Sequence, residues 1–205
     1  MIWIAASMLL STPEINELNQ KCYDAQADRW LRFPFQSTLP GWLKAYAVPG
    51  RVLDIGSGNG VFASWLKENG FDVLCLDPSS EMTRRCREKG LETLQMTIQE
   101  FESKESFASV FAILSLIHVP KAELRLQAEK IASQIPSGGM FFMALIEGSA
   151  EEVKERETGY PRFFSTFQKE EALGYLAPWF DLIAFEPSPS TNTATPSLLF
   201  ALKKK

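Results

Sequence analysis

Residues 51–60 read RVLDIGSGNG: an apolar run ends in Asp54, and Gly56, Ser57, Gly58 and Gly60 follow at once. A second apolar run, FDVLCLD, ends in Asp77, 23 residues after Asp54. Glycines let the backbone turn sharply and let a ligand approach where a Cβ would otherwise stand. An acid at the end of a second strand, near this spacing, accepts hydrogen bonds from ribose hydroxyls. The glycine spacing is G-x-G-x-G followed by Val61, so the third glycine comes one residue early for the dinucleotide pattern G-x-G-x-x-G. A pyrophosphate would also meet the Asp54 carboxylate, whereas a ligand with a positive centre would be attracted to it. No G-K-[ST] follows, which excludes a phosphate-binding P-loop.

The surrounding elements put this loop at the mouth of a sheet. From residue 51 short apolar runs (RVLDI, FDVLCLD, LETLQM, SVFAILSL, GMFFMALIE) alternate with helical patterns (GVFASWLKEN, SSEMTRRCREK, KAELRLQAEKIASQI). That alternation predicts a parallel sheet covered on both faces, and the right-handed crossover rule makes it doubly wound. Ligands bind such sheets at the carboxyl ends of the strands, where the strand order reverses. After the helical stretch KEEALGYLAP, the runs FDLIAFEP and SLLFALKK have no helix between them, which predicts an antiparallel pair at one edge. Pro187, Pro189 and Pro196 are expected to keep the intervening loop out of the sheet. Upstream, Pro13 opens a helical pattern reaching Trp30, and a short helix is expected at 41–46.

The 205 residues suit one domain with small additions. The expected division is a helical N-terminal cap at 1–48 and a main domain at 49–205, with a lid insertion near 148–168. A net charge of −4 gives no basic field for nucleic acid. Lys203, Lys204 and Lys205 read as a solvated tail. Cys22, Cys75 and Cys86 show no metal-ligand spacing and cannot all pair, and one histidine with no clustered Cys, Asp or Glu offers no metal site. A cytoplasmic location fits unpaired thiols. The apolar start MIWIAASMLL lacks a positive leading segment and is far too short to span a bilayer; it reads as a packing segment or a start-site artefact, with a signal peptide as the lesser alternative.

VLDIGSGNGVFASWL together with VLCLDPSSEM resembles the class I S-adenosylmethionine-dependent methyltransferases of the small-molecule branch. Their first motif, D-x-G-x-G-x-G, is matched by Asp54, Gly56, Gly58 and Gly60, and the acid that ends their second strand is matched by Asp77. The resemblance implies a Rossmann-like seven-stranded, mostly parallel sheet with a reversed last pair. It also implies that S-adenosylmethionine is the cofactor, a ligand whose sulfonium and ammonium suit Asp54. Asp54 and the loop Gly56–Gly60, Ser57 included, would face the methionine part. Asp77 would hold the ribose, Pro78 and Met82 would pack on the adenine, and Ser115 and Leu116 would border the reacting centre. The family often has an aspartate on the adenine amino group where Thr97 stands here. Thr97 also reads as a helix N-cap, and the backbone N–H of Ile98 remains available to the ring.

Methyl transfer from a sulfonium is an in-line displacement, so orientation supplies much of the catalysis, and a base is needed only where the acceptor loses a proton. His118, in SLIHVP just past the fourth strand, is the candidate base, with a structural role as the alternative. Tyr23, Trp30 and Arg32 on the N-terminal segment, and Tyr160, Arg162 and Phe163 in GYPRFFSTF, are the candidate acceptor pocket. Aromatics and an arginine there suggest an apolar or planar acceptor, with Arg162 able to meet a carboxylate. The expected function is methyl transfer to a small molecule, with no nucleic-acid or membrane partner. A non-catalytic cofactor-binding module and a nicotinamide-dependent oxidoreductase are the alternatives.

Overall fold

The computed structural model describes residues 10–30, 38–155, 159–188 and 196–205. The apolar start and Arg32 therefore lie outside the described residues, apart from Leu10.

The chain runs α1 (Thr12–Ala25), a 3-10 turn (Ala27–Trp30), α2 (Thr38–Tyr46), β1 (Arg51–Ile55), α3 (Val61–Glu68), β2 (Asp72–Leu76), α4 (Ser80–Glu88) and β3 (Glu92–Leu94). It continues with β4 (Ser109–Ile113), a 3-10 turn (Leu116–His118), α5 (Lys121–Ser133), β5 (Met140–Ile146), β6 (Glu151–Glu155), β7 (Pro161–Ser165), α6 (Lys169–Leu176), β8 (Phe180–Ser188) and β9 (Ser197–Lys204). Seven strands form one sheet in the order β3-β2-β1-β4-β5-β9-β8, while β6 and β7 form a separate antiparallel hairpin. The first five strands pair in parallel. β9 runs antiparallel to both β5 and β8, as the sequence leads one to expect.

The alternation of side chains along each strand explains the two-sided core. In β1, Leu53 and Ile55 join a cluster with Leu124, Ala128 and Ile131 of α5 and Leu176 of α6. Val52 points the other way, into a cluster with Leu39 and Leu43 of α2, Leu66 of α3 and Cys86 of α4. Every residue of β5 is buried, which is the pattern of a strand covered on both faces. Strand order reverses about β1, so the carboxyl ends of β1, β2 and β4 surround one cleft.

Several boundaries differ from the sequence reading: the helical pattern expected to reach Trp30 ends as α1 at Ala25, and the runs LETLQM and SVFAILSL form strands only over Glu92–Leu94 and Ser109–Ile113. Helix α2 begins at Thr38 rather than 41, because Pro40 sits in its first turn, where a missing N–H is tolerated. β8 runs through Pro187 to Ser188, with Pro187 paired to Leu198. Pro187 is therefore inside the sheet, on its edge strand, where proline removes no ladder bond.

Candidate active site

The glycine loop is built by close approach. Gly56 N–H donates to the carbonyl of Leu76 at 2.6 Å, and Ser57 N–H donates to the same oxygen at 3.1 Å, so β1's exit is clamped onto the end of β2. Gly56 has φ +69°, and a Cβ there would stand 2.2 Å from Ser115 Cβ. Only glycine permits both the left-handed backbone and that contact. Gly58, at φ +54°, faces open space: a Cβ on it would meet nothing within 4 Å. Gly60 is the N-cap residue of α3.

Ser115 is aimed at this loop by its neighbour. Leu114 is the one described non-glycine residue with positive φ, at 57°. Such a conformation costs about 1–2 kcal/mol for an ordinary residue and marks a turn held by its surroundings. Leu114 N–H is fixed on the carbonyl of Ala144 at 3.0 Å, which ends β4 and starts the turn carrying Leu116 and His118.

Two acids flank the loop. Asp77 accepts from Gly58 N–H at 2.8 Å and from Ser79 N–H at 2.9 Å. Burial raises its carboxyl to about 6, against the lowering effect of those two N–H groups and with a smaller raising effect from Asp24. Asp54 is 2% exposed, and burial, then the charge of Asp77, pushes it up to about 7. Its Oδ2 has no hydrogen-bond partner among the described residues, and neither has Ser115 Oγ. A buried polar atom without a partner calls for an explanation, and these two both lie at the glycine loop. Two adjacent buried carboxylates ask for hydrogen-bond donors and positive charge.

The other predicted contacts fall on either side. A groove of about 870 Å³ is lined by Pro78, Met96 and Thr97 at the ends of β2 and β3, and by Gln127 and Lys130 of α5. Thr97 uses both its hydroxyl and its N–H on Glu100 Oε2, each at 2.8 Å, so its side chain caps the following turn. Lys130 Nζ secures the same turn through the carbonyls of Ile98 and Gln99, at 3.2 and 2.6 Å. Ile98 is 6% exposed, and Met82 is buried on the inner side of α4, 1% exposed. Leu116, also 1% exposed, belongs to the core beneath the turn.

α1 and the β6–β7 hairpin cover the cleft, and they bring three predicted residues together. Tyr23 Oη is 2.7 Å from His118 Nε2, Arg162 Nη1 donates to Tyr23 Oη at 3.2 Å, and His118 Nδ1 is 2.7 Å from the carbonyl of Phe163. The Arg162 guanidinium lies over the rings of Tyr23 and Phe164, at 5.3 and 4.9 Å. Burial holds His118 down at about 4; Phe163's carbonyl raises it and Arg162's charge lowers it. Phe163 meets the site through its backbone, because its ring is fully buried. Tyr160 is 44% exposed and offers its carbonyl to Cys22 Sγ at 3.7 Å. Trp30 ends the 3-10 turn after α1.

Sequence reasoning missed Asp24 and Asn19. Asp24 Oδ1 accepts from Ser79 Oγ at 2.6 Å, Ser80 Oγ at 3.3 Å and Glu81 N–H at 3.0 Å, capping α4 from outside. Asn19 Oδ1 accepts from Phe163 N–H at 2.9 Å. Asn19, Cys22 and Tyr23 stand at i, i+3 and i+4, so a polar pair on the inner stripe of α1 was the legible signal.

A family model described as the methyltransferase domain matches residues 52–139, from β1 to the start of β5. Those residues carry the glycine loop, both acids and the Ser115 turn. Residues 52–139 are a class I S-adenosylmethionine-dependent methyltransferase domain. No curated protein sequence matches the chain. Among solved structures, the chain is similar to a 1,6-didemethyltoxoflavin-N1-methyltransferase from Burkholderia thailandensis, at 16% identity and TM-score 0.76, covering 96% of this chain and 92% of that one. A S-adenosylmethionine-dependent methyltransferase from Methanosarcina mazei aligns at 15% identity and TM-score 0.71, covering 79% and 96%. The glycopeptide N-methyltransferase MtfA aligns at 15% identity and TM-score 0.67, covering 83% and 93%. At such identities the likeness establishes the shared fold.

Proposed function

We propose that the protein transfers a methyl group from S-adenosylmethionine to a small-molecule acceptor bound under α1 and the β6–β7 hairpin. The observation that carries this reading is the buried Asp54 carboxylate, whose Oδ2 lacks a partner beside a glycine loop that faces open space. The residues present fit the group. Asp54 and Ser115 would receive its ammonium and polar contacts, the Gly56–Gly60 backbone would take its methionine part, and Asp77 would accept from its ribose hydroxyls. The groove at Pro78 and Thr97 would take the adenine, with Thr97 occupied in capping and Ile98 N–H left to serve the ring. The bound group supplies an electrophilic methyl on a sulfonium. The chain's own share is orientation: the clamp of Gly56 and Ser57 on Leu76 and the fixed Ser115 turn would hold the reacting partners in line.

The neighbours support the acceptor class. One solved relative carries 1,6-didemethyltoxoflavin, a small molecule, and another acts on a glycopeptide. The net charge of −4 speaks against a nucleic-acid substrate. No described helix is long and apolar enough to cross a membrane. Three buried, unbridged cysteines support a reducing, cytoplasmic setting. Residues 1–48 act in this reading as the cap and 148–168 as the lid.

A non-catalytic binding module is the second reading, favoured by the engagement of both His118 nitrogens, which leaves no ring atom poised as a direct base. Calorimetric titration with S-adenosylmethionine, S-adenosylhomocysteine and NAD tests the cofactor. The expected result is binding of the first two, weakened in Asp77→Ala, and none of NAD. Absence of both adenosyl ligands from the protein refutes the reading, and binding without turnover on a broad acceptor panel favours the module.

A further inference from the structure

The bonds around Tyr23 have a direction. The Phe163 carbonyl can only accept, so the His118 proton in contact with it sits on Nδ1. A neutral imidazole with Nδ1 protonated has a lone pair on Nε2, and Tyr23 Oη, 2.7 Å away, must donate its single proton there. Arg162 Nη1 donates to the same oxygen at 3.2 Å. The phenol's hydrogen is thus committed, and any further group that meets Tyr23 Oη must bring a hydrogen of its own.

The phenol also spans the cleft. The next residue, Asp24, is tied to the start of α4 directly behind Asp77. His118 closes the turn that begins at Ser115, whose Cβ touches Gly56. Tyr23 therefore bridges the carboxyl ends of β2 and β4, on either side of the glycine loop, and it senses the charge of Asp77.

We infer that Tyr23 Oη holds the reacting atom of the methyl acceptor by accepting a hydrogen bond from it, and that the acceptor is a neutral N–H or O–H compound rather than a thiolate or a carbon nucleophile. This inference rests on the methyl-transfer reading above. In the step it describes, the acceptor's lone pair takes the methyl carbon while the carbon–sulfur bond breaks and its electron pair stays on sulfur. The acceptor's proton passes to Tyr23 Oη as Tyr23's own proton passes to His118 Nε2. The imidazolium so formed, held by the Phe163 carbonyl and beside Arg162, releases the proton to water. As positive charge moves from sulfur to the acceptor atom, its hydrogen bond to Tyr23 strengthens, so the interaction is greater in the transition state than before it. Arg162 adds positive charge beside that bond and favours acceptors that part readily with their proton, such as phenols and heteroaromatic N–H groups. Tyr23 touches the acceptor, and His118 is a positioning residue that acts through it.

The chain has one histidine, so its ring nitrogens can be read without ambiguity by long-range ¹H–¹⁵N correlation spectra. In the complex with S-adenosylhomocysteine, the expected signature is a protonated Nδ1 and a bare, hydrogen-bonded Nε2, whose signal moves in Tyr23→Phe. A protonated Nε2 would overturn the proposal, because Tyr23 would then be free to donate. Methyl-labelled S-adenosylmethionine is then offered with phenol, benzimidazole and 4-nitrothiophenol. Label is expected on the oxygen or nitrogen compound, and Tyr23→Phe is expected to lower kcat at least about 100-fold with the KM for S-adenosylmethionine unchanged. Transfer to the thiol alone, or an unchanged kcat in Tyr23→Phe, refutes it. Failure of S-adenosylhomocysteine to bind refutes the methyl-transfer reading instead, and the tautomer of the free protein still reports the direction of the bonds.

Discussion

Replacing Asp54 with asparagine should strengthen the empty fold and weaken the loaded one. Burial and the Asp77 charge raise the Asp54 carboxyl from 3.8 to about 7. Each unit corresponds to about 1.4 kcal/mol, so ionising this side chain in the empty protein costs about 4 kcal/mol as an upper figure. The sign follows from linkage. The folded state holds this proton more tightly than the unfolded state, so stability is lost as pH rises from the unfolded value through the folded one. The deficit is absent below about pH 4 and complete above about pH 7. Urea denaturation of ligand-free parent and Asp54→Asn at pH 5.5 and pH 8 isolates it, since Asp77 titrates in both proteins. The variant's advantage should grow by about 2 kcal/mol from pH 5.5 to pH 8. In titration calorimetry the same variant should bind S-adenosylmethionine at least about tenfold more weakly, having lost a buried charge for the ammonium. Equal pH dependence of stability in the two proteins, or undiminished binding by the variant, refutes the assignment of Asp54 as a carboxylate kept in strain for a cation.

Three further outcomes follow from the same geometry. Gly56→Ala forces a Cβ to 2.2 Å from Ser115 at φ +69°, so S-adenosylhomocysteine binding should be lost and the melting temperature should fall by several degrees, about 2–4 °C per kcal/mol, in a thermal scan. Asp24→Ala removes the outer cap of α4, which should cost about 1 kcal/mol in chemical denaturation and speed S-adenosylhomocysteine dissociation measured by surface plasmon resonance. Thr97→Ala should lower stability by about 1 kcal/mol, because the hydroxyl caps a turn, and leave the calorimetric affinity for S-adenosylhomocysteine unchanged.

The half of the cleft proposed for the cofactor could be drawn from the sequence because its logic is local. Asp54 and the glycines lie within seven residues, and Asp77 ends the next strand, so chain order alone puts them at one edge. The antiparallel pair at the C-terminus was legible from the missing helix between two apolar runs. Pro187 was misplaced because its own chemistry forbids only a central strand, and β8 is an edge. The residues proposed for the acceptor half were visible as types, but not their connections. Tyr23, His118 and Arg162 are separated by 95 and 44 residues, and no periodicity predicts that one phenol would meet both. Asp24 shows the limit most clearly: an acid on the polar side of a helical pattern reads as solvated, yet it caps a helix that begins 56 residues later.

The two halves of the cleft are also inherited from different parts of the chain. Everything proposed for the cofactor comes from the strand ends and turns between β1 and α5, while α1 and the β6–β7 hairpin form the side proposed for the acceptor. Those two covering segments are stitched to each other by Asn19 to Phe163, Cys22 to Tyr160 and Arg162 to Tyr23. Donor and acceptor preference can therefore diverge independently in descendants of this chain, but helix and hairpin must change as a matched set. A graft that retargets the enzyme should carry residues 12–25 and 148–168 together from one parent.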